Sequence, residues 1–327
     1  MVTERRSPRF DIAGHPRRSM RQSYGQALLA LGRTNPKVVS LSADCVGMFF
    51  LDDFAKEYPK RAFNVGIAEQ DLIGIAAGLA SCGLIPFCSG LAPFVSMRAC
   101  EQIRTDCGYT NFNVKMAVLY SGLTQPVGGS THHATEDLAI LRSMANLTVI
   151  APADGLEAYK ATLAAAEHPG PVYIRLGGRD PEPVVYERDY DFRIGRAVTL
   201  REGDELTIIA TGTMTRFALW AAEALADDGV SARVVNMHTV KPLDHEAIAK
   251  AARETGRILT VEEHNVLGGL GGAVAEVVVG ECPVPMRILG IPDLYASVGP
   301  LLPLRAKYGL TWENIAAEAK SLLAKSR

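Results

Sequence analysis

Arg61-Ala62-Phe63-Asn64-Val65-Gly66-Ile67-Ala68-Glu69-Gln70 compresses a strand, a turn and the start of a helix into one short run. An apolar strand passes through Phe63 to a glycine, and an Ala-, Gly- and Leu-rich pattern then reads as a largely buried helix over 68–82. This order sets a carboxylate, Glu69, on the first turn of that helix. Helix N-termini favour an ionised acid, so one reading is a charge that only complements the helix start. The other is a buried carboxyl placed to share a proton with a ring nitrogen. The segment alone leaves both open.

Outward from this segment, apolar strands alternate with helical patterns along the whole chain, the signature of parallel α/β units. The first half predicts strands at 37–41, 62–65, 84–88, 114–120, 147–150 and 171–176. Helices are predicted there at 20–33, 68–82, 94–106, 133–143 and 154–167. Gly177-Gly178-Arg179-Asp180-Pro181-Glu182-Pro183 breaks the pattern, and the chain stays polar to about Phe192, as a linker does. The second half predicts strands at 206–211, 232–236, 257–262 and 286–290, and helices at 214–228, 244–254, 268–280 and about 311–325. The fold expected is α/β with two open parallel-sheet domains, residues 1–185 and 186–327. No short tandem repeat interrupts it.

Composition narrows the function classes. A formal net charge of −2 over 327 residues leaves no electrostatic footprint for nucleic acid or an anionic membrane surface. No apolar run approaches the roughly 20 residues of a membrane span. The basic residues Arg5, Arg6, Arg9, Arg17, Arg18 and Arg21 lack the apolar segment of a secretory signal and read as a solvated arm. Six cysteines (45, 82, 88, 100, 107 and 282) show no ligand-like spacing. They read as reduced, structural thiols of a cytoplasmic protein, with no metal site built from this chain.

Parallel sheets bind ligands beyond the carboxyl ends of their strands. That rule singles out Asp44, the 65–69 turn, the 89–94 turn, the 121–132 loop and the 175–179 turn. The loop reads Ser121-Gly122-Leu123-Thr124-Gln125-Pro126-Val127-Gly128-Gly129-Ser130-Thr131-His132. Its glycines permit close backbone approach, and His132 brings a group that trades protons near neutral pH; a capped surface loop is the alternative. Phe94 follows Gly90 and Pro93 and is either a core residue or a face for a flat ligand. Gly268-Gly269-Leu270-Gly271-Gly272 lacks the G-x-G-x-x-G spacing and is crowded by Glu262, Glu263 and His264, so it signals a dinucleotide only weakly. There is no P-loop, no G-x-S-x-G elbow and no H-E-x-x-H.

Taken in order, these stretches resemble the C-terminal half of transketolase over nearly the whole chain. The resemblance is carried by Phe63-Asn64-Val65-Gly66-Ile67-Ala68-Glu69-Gln70, by Phe94 with Arg98 and Glu101-Gln102-Ile103-Arg104, and by Thr131-His132 with Glu136-Asp137-Leu138-Ala139. Ala151-Pro152-Ala153-Asp154, Pro171-Val172-Tyr173-Ile174-Arg175, Val240-Lys241-Pro242-Leu243-Asp244 and Thr260-Val261-Glu262-Glu263-His264 complete it. It implies a pyrimidine-binding domain and a transketolase C-terminal domain of a thiamine diphosphate enzyme. Such an enzyme is a transferase that moves a two-carbon ketol unit from a ketose or its phosphate to an aldose or its phosphate. The family's catalytic Glu matches Glu69, which bonds N1′ of the aminopyrimidine and shares its proton. Ile67 matches the apolar wedge under the cofactor and Phe94 the aromatic packed on the pyrimidine. Asp44 and Arg98 complete the implied cofactor contacts, and His132 matches the His that faces the substrate.

The family's diphosphate half, with its GDG motif and the Asn pair that follows, has no counterpart here. Arg201-Glu202-Gly203-Asp204-Glu205 is a polar turn before a strand. Mg²⁺ takes oxygen ligands, phosphate oxygens among them, so the resemblance implies a split transketolase. A separate N-terminal chain would supply the diphosphate half and hold Mg²⁺, in an α2β2 assembly. The substrate loop also departs from the family. Where ordinary transketolases have G-E-D-G, this chain has Pro126-Val127-Gly128-Gly129, so Gly128 replaces the acid that reads donor hydroxyls. Tyr120 and Met48 stand at phosphate-contacting His and Ser positions, and Arg21 matches a phosphate-contacting Arg. The implied substrate set is therefore Arg21, Tyr120, Gly128 and His132, with a sugar outside the usual pentose and hexose phosphates. The rival readings are the β subunit of a 2-oxoacid dehydrogenase, a 1-deoxyxylulose-phosphate-synthase-like enzyme and a non-catalytic nucleotide-binding α/β subunit.

Overall fold

The strands at the centre of each sheet are nearly continuous runs of β-branched and aliphatic residues, as strands covered on both faces must be. Val38–Ser42 and Lys115–Leu119 are buried throughout. Their side chains alternate between two apolar layers. Val39, Leu41, Met116 and Val118 pack with Leu72, Ile73, Val95 and Leu138, whereas Val38, Ala117 and Leu119 pack with Tyr24, Leu28, Phe49 and Ala158. Burying each large aliphatic side chain contributes roughly 1.5–3 kcal/mol. A sheet covered by helices on both faces follows.

The computed structural model describes residues 16–324; Arg5, Arg6 and Arg9 of the basic arm, and Lys325 at the expected end of the last helix, lie outside the described residues. A seven-stranded sheet runs in the order Thr239–Lys241, Thr148–Ile150, Val172–Arg175, Lys115–Leu119, Ile85–Leu91, Val38–Ser42, Ala62–Asn64. A five-stranded sheet runs Met286–Ile291, Ile258–Asn265, Leu206–Ala210, Ala232–Asn236, Val198–Arg201. Both are parallel apart from one edge strand each. Thr239–Lys241 lies antiparallel to Thr148–Ile150, and Val198–Arg201 antiparallel to Ala232–Asn236. The first of these carries a strand from the second half of the chain into the sheet of the first. No helix among the described residues is long and apolar enough to cross a membrane.

Three local expectations are corrected, and several short elements carry no signal in the sequence. The segment expected as a helix over 94–106 is two π-helical stretches, Phe94–Arg98 and Ile103–Tyr109, around a short α turn at Cys100–Gln102. The helix expected from 133 begins only at Asp137, because Ala134 pairs with Gly122 and closes the preceding loop. Edge strands Val198–Arg201 and Thr239–Lys241 and helices Asp52–Glu57 and Leu301–Lys307 are too short for a periodic signal. The polar stretch 177–192 is a strap rather than a free linker. Glu182–Pro183 pairs with Arg17–Arg18, and Asp154 accepts the Val185 and Tyr186 N–H groups at 2.8 and 2.9 Å. Within the strap Tyr186 and Tyr190 stack at 4.2 Å, and Asn236 donates to both Glu157 and the Tyr186 hydroxyl. Burial pushes the Glu157 carboxyl up to about 7.

Candidate active site

Two strand ends meet through one side chain. Asn64 Oδ1 accepts the Asp44 N–H at 3.0 Å and the Gly66 N–H at 3.1 Å. Both turns are left-handed, with φ of 56° at Asp44 and 76° at Gly66. An added Cβ at Gly66 would meet nothing within 4 Å, so glycine is needed there for its backbone angle and not for space. The turn leaves Ile67 75% exposed and starts the helix Glu69–Ser81 with a carboxyl that is only 2% exposed.

Arg98 Nη1 donates to Glu69 Oε2 at 2.6 Å, and the same guanidinium lies 4.4 Å from the centroid of the Phe94 ring. The π-helical turn, closed by Ala99 N–H to the Phe94 carbonyl, sets these two side chains on one face. Phe94 is half-buried, not a core residue, and its ring meets that of His132 edge-on at 5.2 Å. Glu69, Arg98, Phe94 and His132 thus form one continuous chain of contacts.

His132 is carried by a loop whose two feet are joined. Gly122 and Ala134 exchange N–H···O bonds of 2.9 and 3.0 Å. Within the loop His132 Nδ1 lies 2.9 Å from Thr131 Oγ1. A Cβ on Gly128 would come within 2.8 Å of the His132 Cβ, so this loop has no ready room for an acidic side chain beside that histidine. His133 is buried beneath the loop; burial holds its imidazole below the usual range, opposed by the nearby Glu263 charge.

A second group gathers beyond the strands Val38–Ser42 and Lys115–Leu119 of the same sheet. Arg21 donates from Nε to the Arg179 carbonyl and from Nη1 to the Met48 carbonyl, both at 3.1 Å, and covers the Phe50 ring at 4.9 Å. Tyr120 is buried in a left-handed conformation with φ of 67°. Burial raises its phenol pKa, while the positive charges of Arg179 and Arg21 lower it. The structure therefore groups Arg21, Met48 and Tyr120 and adds Arg179. Sequence reasoning placed Arg179 only in a strand-end turn.

Among the described residues, the glycine-rich helix start of the second half is not open as a phosphate loop. Glu262 accepts the Leu270 and Gly271 N–H groups at 2.7 and 2.8 Å, so the chain's own carboxylate occupies the glycine-rich helix start. His264, His238 and Lys241 serve contacts between elements. His264 accepts the Ala139 N–H at 3.3 Å, His238 packs on Phe192 at 4.4 Å, and Lys241 donates to the Arg142 and Met144 carbonyls. Among the described residues no group of three or more His, Cys, Asp or Glu could hold a metal ion, and all six cysteines are free.

These residues fit one half of a cofactor site: a buried carboxyl at a helix start, an aromatic face beside it and an exposed apolar residue before it. Comparison with known proteins agrees on the class. Residues 17–180 match the family model of the transketolase pyrimidine binding domain, and residues 195–315 that of the transketolase C-terminal domain. The 6-deoxy-6-sulfo-D-fructose transketolase subunit SqwH of Clostridium sp. (strain MSTE9) is 41% identical, covering 92% of this chain and 93% of the relative. An apulose-4-phosphate transketolase subunit of Phocaeicola vulgatus is 42% identical, covering 93% and 97%. A solved split-gene transketolase, described as an inactive β4 tetramer, superposes with a TM-score of 0.89 at 45% identity, over 95% of this chain and all of that one. The chain belongs to the transketolase family, and within it to the C-terminal subunits of split transketolases, transferases that act with a partner subunit.

Proposed function

We propose that this subunit transfers a two-carbon ketol unit from an anionic ketose to an aldose, with thiamine diphosphate held between it and an N-terminal partner chain. One observation carries the reading: Glu69 is 2% exposed at a helix start, in contact with Arg98, which also lies over the Phe94 face. When bound, the cofactor supplies the carbanion-stabilising chemistry of ketol transfer. With the cofactor bound, Glu69 would be the residue that shares a proton with the pyrimidine, Phe94 the face packed against it and Ile67 the apolar support beneath it. Asp44 and Arg98 border the same half-site. His132 holds or gives a proton at the substrate's oxygen. Arg21, Arg179 and Tyr120 meet the anionic end of the sugar, and Gly128 leaves the donor hydroxyls without a carboxylate partner.

The partner chain supplies the diphosphate site and Mg²⁺, in an α2β2 complex. Support for a partner comes from surfaces this chain leaves open. Ile67, Ile75 and Met97 are exposed on the segments that carry Glu69 and Phe94, and space is open beyond Gly74 and Gly78 of the same helix. Exposed apolar residues gathered beside a half-built site suit a protein partner. The pyrimidine-binding part spans 1–185 and the C-terminal part 186–327, and the complex works in the cytoplasm, where free thiols persist. The test is Glu69→Gln in the reconstituted two-chain complex. Turnover should fall about 10²–10⁴-fold, as expected for loss of a proton-transfer group, and unchanged turnover would refute the assignment.

A further inference from the structure

Both feet of the loop that carries His132 meet one residue of the C-terminal part, Glu263. Glu263 is 2% exposed, and its Oε1 accepts the Leu123 N–H at 2.7 Å, beside one foot of the loop. Its backbone carbonyl shares Arg175 Nη2 with the carbonyl of Ala134, the other foot, each at 3.0 Å. Gly122 lies so close that a Cβ there would fall 2.5 Å from the Glu263 carbonyl oxygen. The remaining carboxylate oxygen is held by Arg305 Nε at 2.6 Å and Thr213 Oγ1 at 3.2 Å. The loop's tip rests on the same part of the chain: Ser130 Oγ donates to the Ala296 carbonyl at 2.7 Å, and the Gly299 N–H to that of Pro126 at 3.3 Å.

A buried carboxylate with two fixed donors behind it and one backbone N–H ahead of it has few ways to move. Position is what such a seat confers on a loop, and a reacting group displaced by about 1 Å can lose about a hundredfold in rate. We propose that Glu263 is a positioning residue for substrate chemistry: it fixes both feet of the loop over 122–134 and so sets where His132 stands. This gives the C-terminal part a task in the reaction without placing any of its atoms on the substrate. The assignment of His132 to the substrate rests on the function proposed above; the seat itself does not.

The experiment separates the two. Hydrogen exchange on this chain alone, in wild type and Glu263→Gln, reads the seat directly. An amide cannot satisfy both Leu123 N–H and Arg305 with acceptors, so one contact is lost. Exchange should speed by about tenfold or more within 122–134 while the strands of the seven-stranded sheet keep their protection. Ser130→Ala, which removes only the tip contact, should loosen the same segment less and covers the case in which Glu263→Gln fails to fold. In the two-chain complex, with hydroxypyruvate as donor probe, Glu263→Gln should lower kcat/KM about tenfold and leave cofactor retention unchanged. In a His132→Ala background the same change should cost less than about twofold, because its effect runs through that histidine. Unchanged exchange in 122–134, loosening spread evenly over the sheet, or fully additive losses would each overturn the proposal. A wild-type complex without ketol transfer would instead sink the function, with the exchange result standing.

Discussion

By the resemblance, Gly128 stands where ordinary transketolases carry an acid, and its surroundings predict that a reversal will not restore their specificity. The His132 Cβ occupies the space a side chain at 128 would take, and the Gln125 side chain lies 2.9 Å from the same point. Gly128→Asp should therefore displace His132 before it can read a sugar hydroxyl. The expected result is a fall in kcat/KM of about tenfold or more, with cofactor retention unchanged and no gain on xylulose 5-phosphate. A gain on that sugar would show that the pocket accommodates the acid. The positive charges of Arg21 and Arg179 act on Tyr120, which suits an anionic donor. In the wild-type complex, xylulose 5-phosphate should turn over more slowly than a sulfonated or branched anionic ketose, and full activity on it would contradict the reading of Gly128.

The elements are held together by groups whose ionisation is set by burial. Glu157 lies on the helix Gly155–Glu167 and accepts from Ala153 N–H, Asn236 and the Tyr190 hydroxyl. Its pKa is raised from 4.5 to about 7 by desolvation, the hydrogen bonds opposing. An acid whose folded pKa is raised binds its proton more tightly when folded, so its contribution is full below the unfolded pKa and is lost as pH rises towards the folded one. From about pH 4.5 to 7 this group should lower stability by up to roughly 1.4 kcal/mol per pH unit. Glu157→Gln removes the titration, so urea unfolding should show the variant gaining on wild type as pH rises through that window. A constant difference between the two proteins would contradict it.

How much could be read from the chain follows from the range of each interaction. Strand Val38–Ser42 announces itself because its apolar pattern is local and buried on both sides. The Glu69–Ser81 helix, expected to be largely buried, buries only the face of Glu69, Leu72, Ile73, Ala76 and Ala77 and leaves Gln70, Asp71, Ile75 and Gly78 exposed. The turn 65–69, Phe94 and His132 were legible from strand ends, glycines and family spacing. The π-helical stretches were not, since widening a turn leaves the apolar pattern almost unaltered. Neither were the Arg179–Tyr120 group, the Glu263 seat or the Thr239–Lys241 edge strand. Each depends on partners between 42 and 158 residues apart or on a strand of three residues.

At the scale of the whole molecule, one chain presents a half-site and the surfaces that would close it. The side proposed for the pyrimidine runs from Asn64, which ties two turns together, to Phe94 facing His132. The diphosphate side has no counterpart among the described residues, where the glycine-rich helix start is filled by Glu262. A solved split-gene transketolase of 45% identity is described as an inactive β4 tetramer. The most direct measurement is native mass spectrometry of this chain, alone and co-expressed with a diphosphate-half transketolase chain, in thiamine diphosphate and Mg²⁺. The account predicts a two-chain complex that retains cofactor and metal, and a lone chain that retains neither. Cofactor held by the lone chain, or no complex between the two, would contradict it.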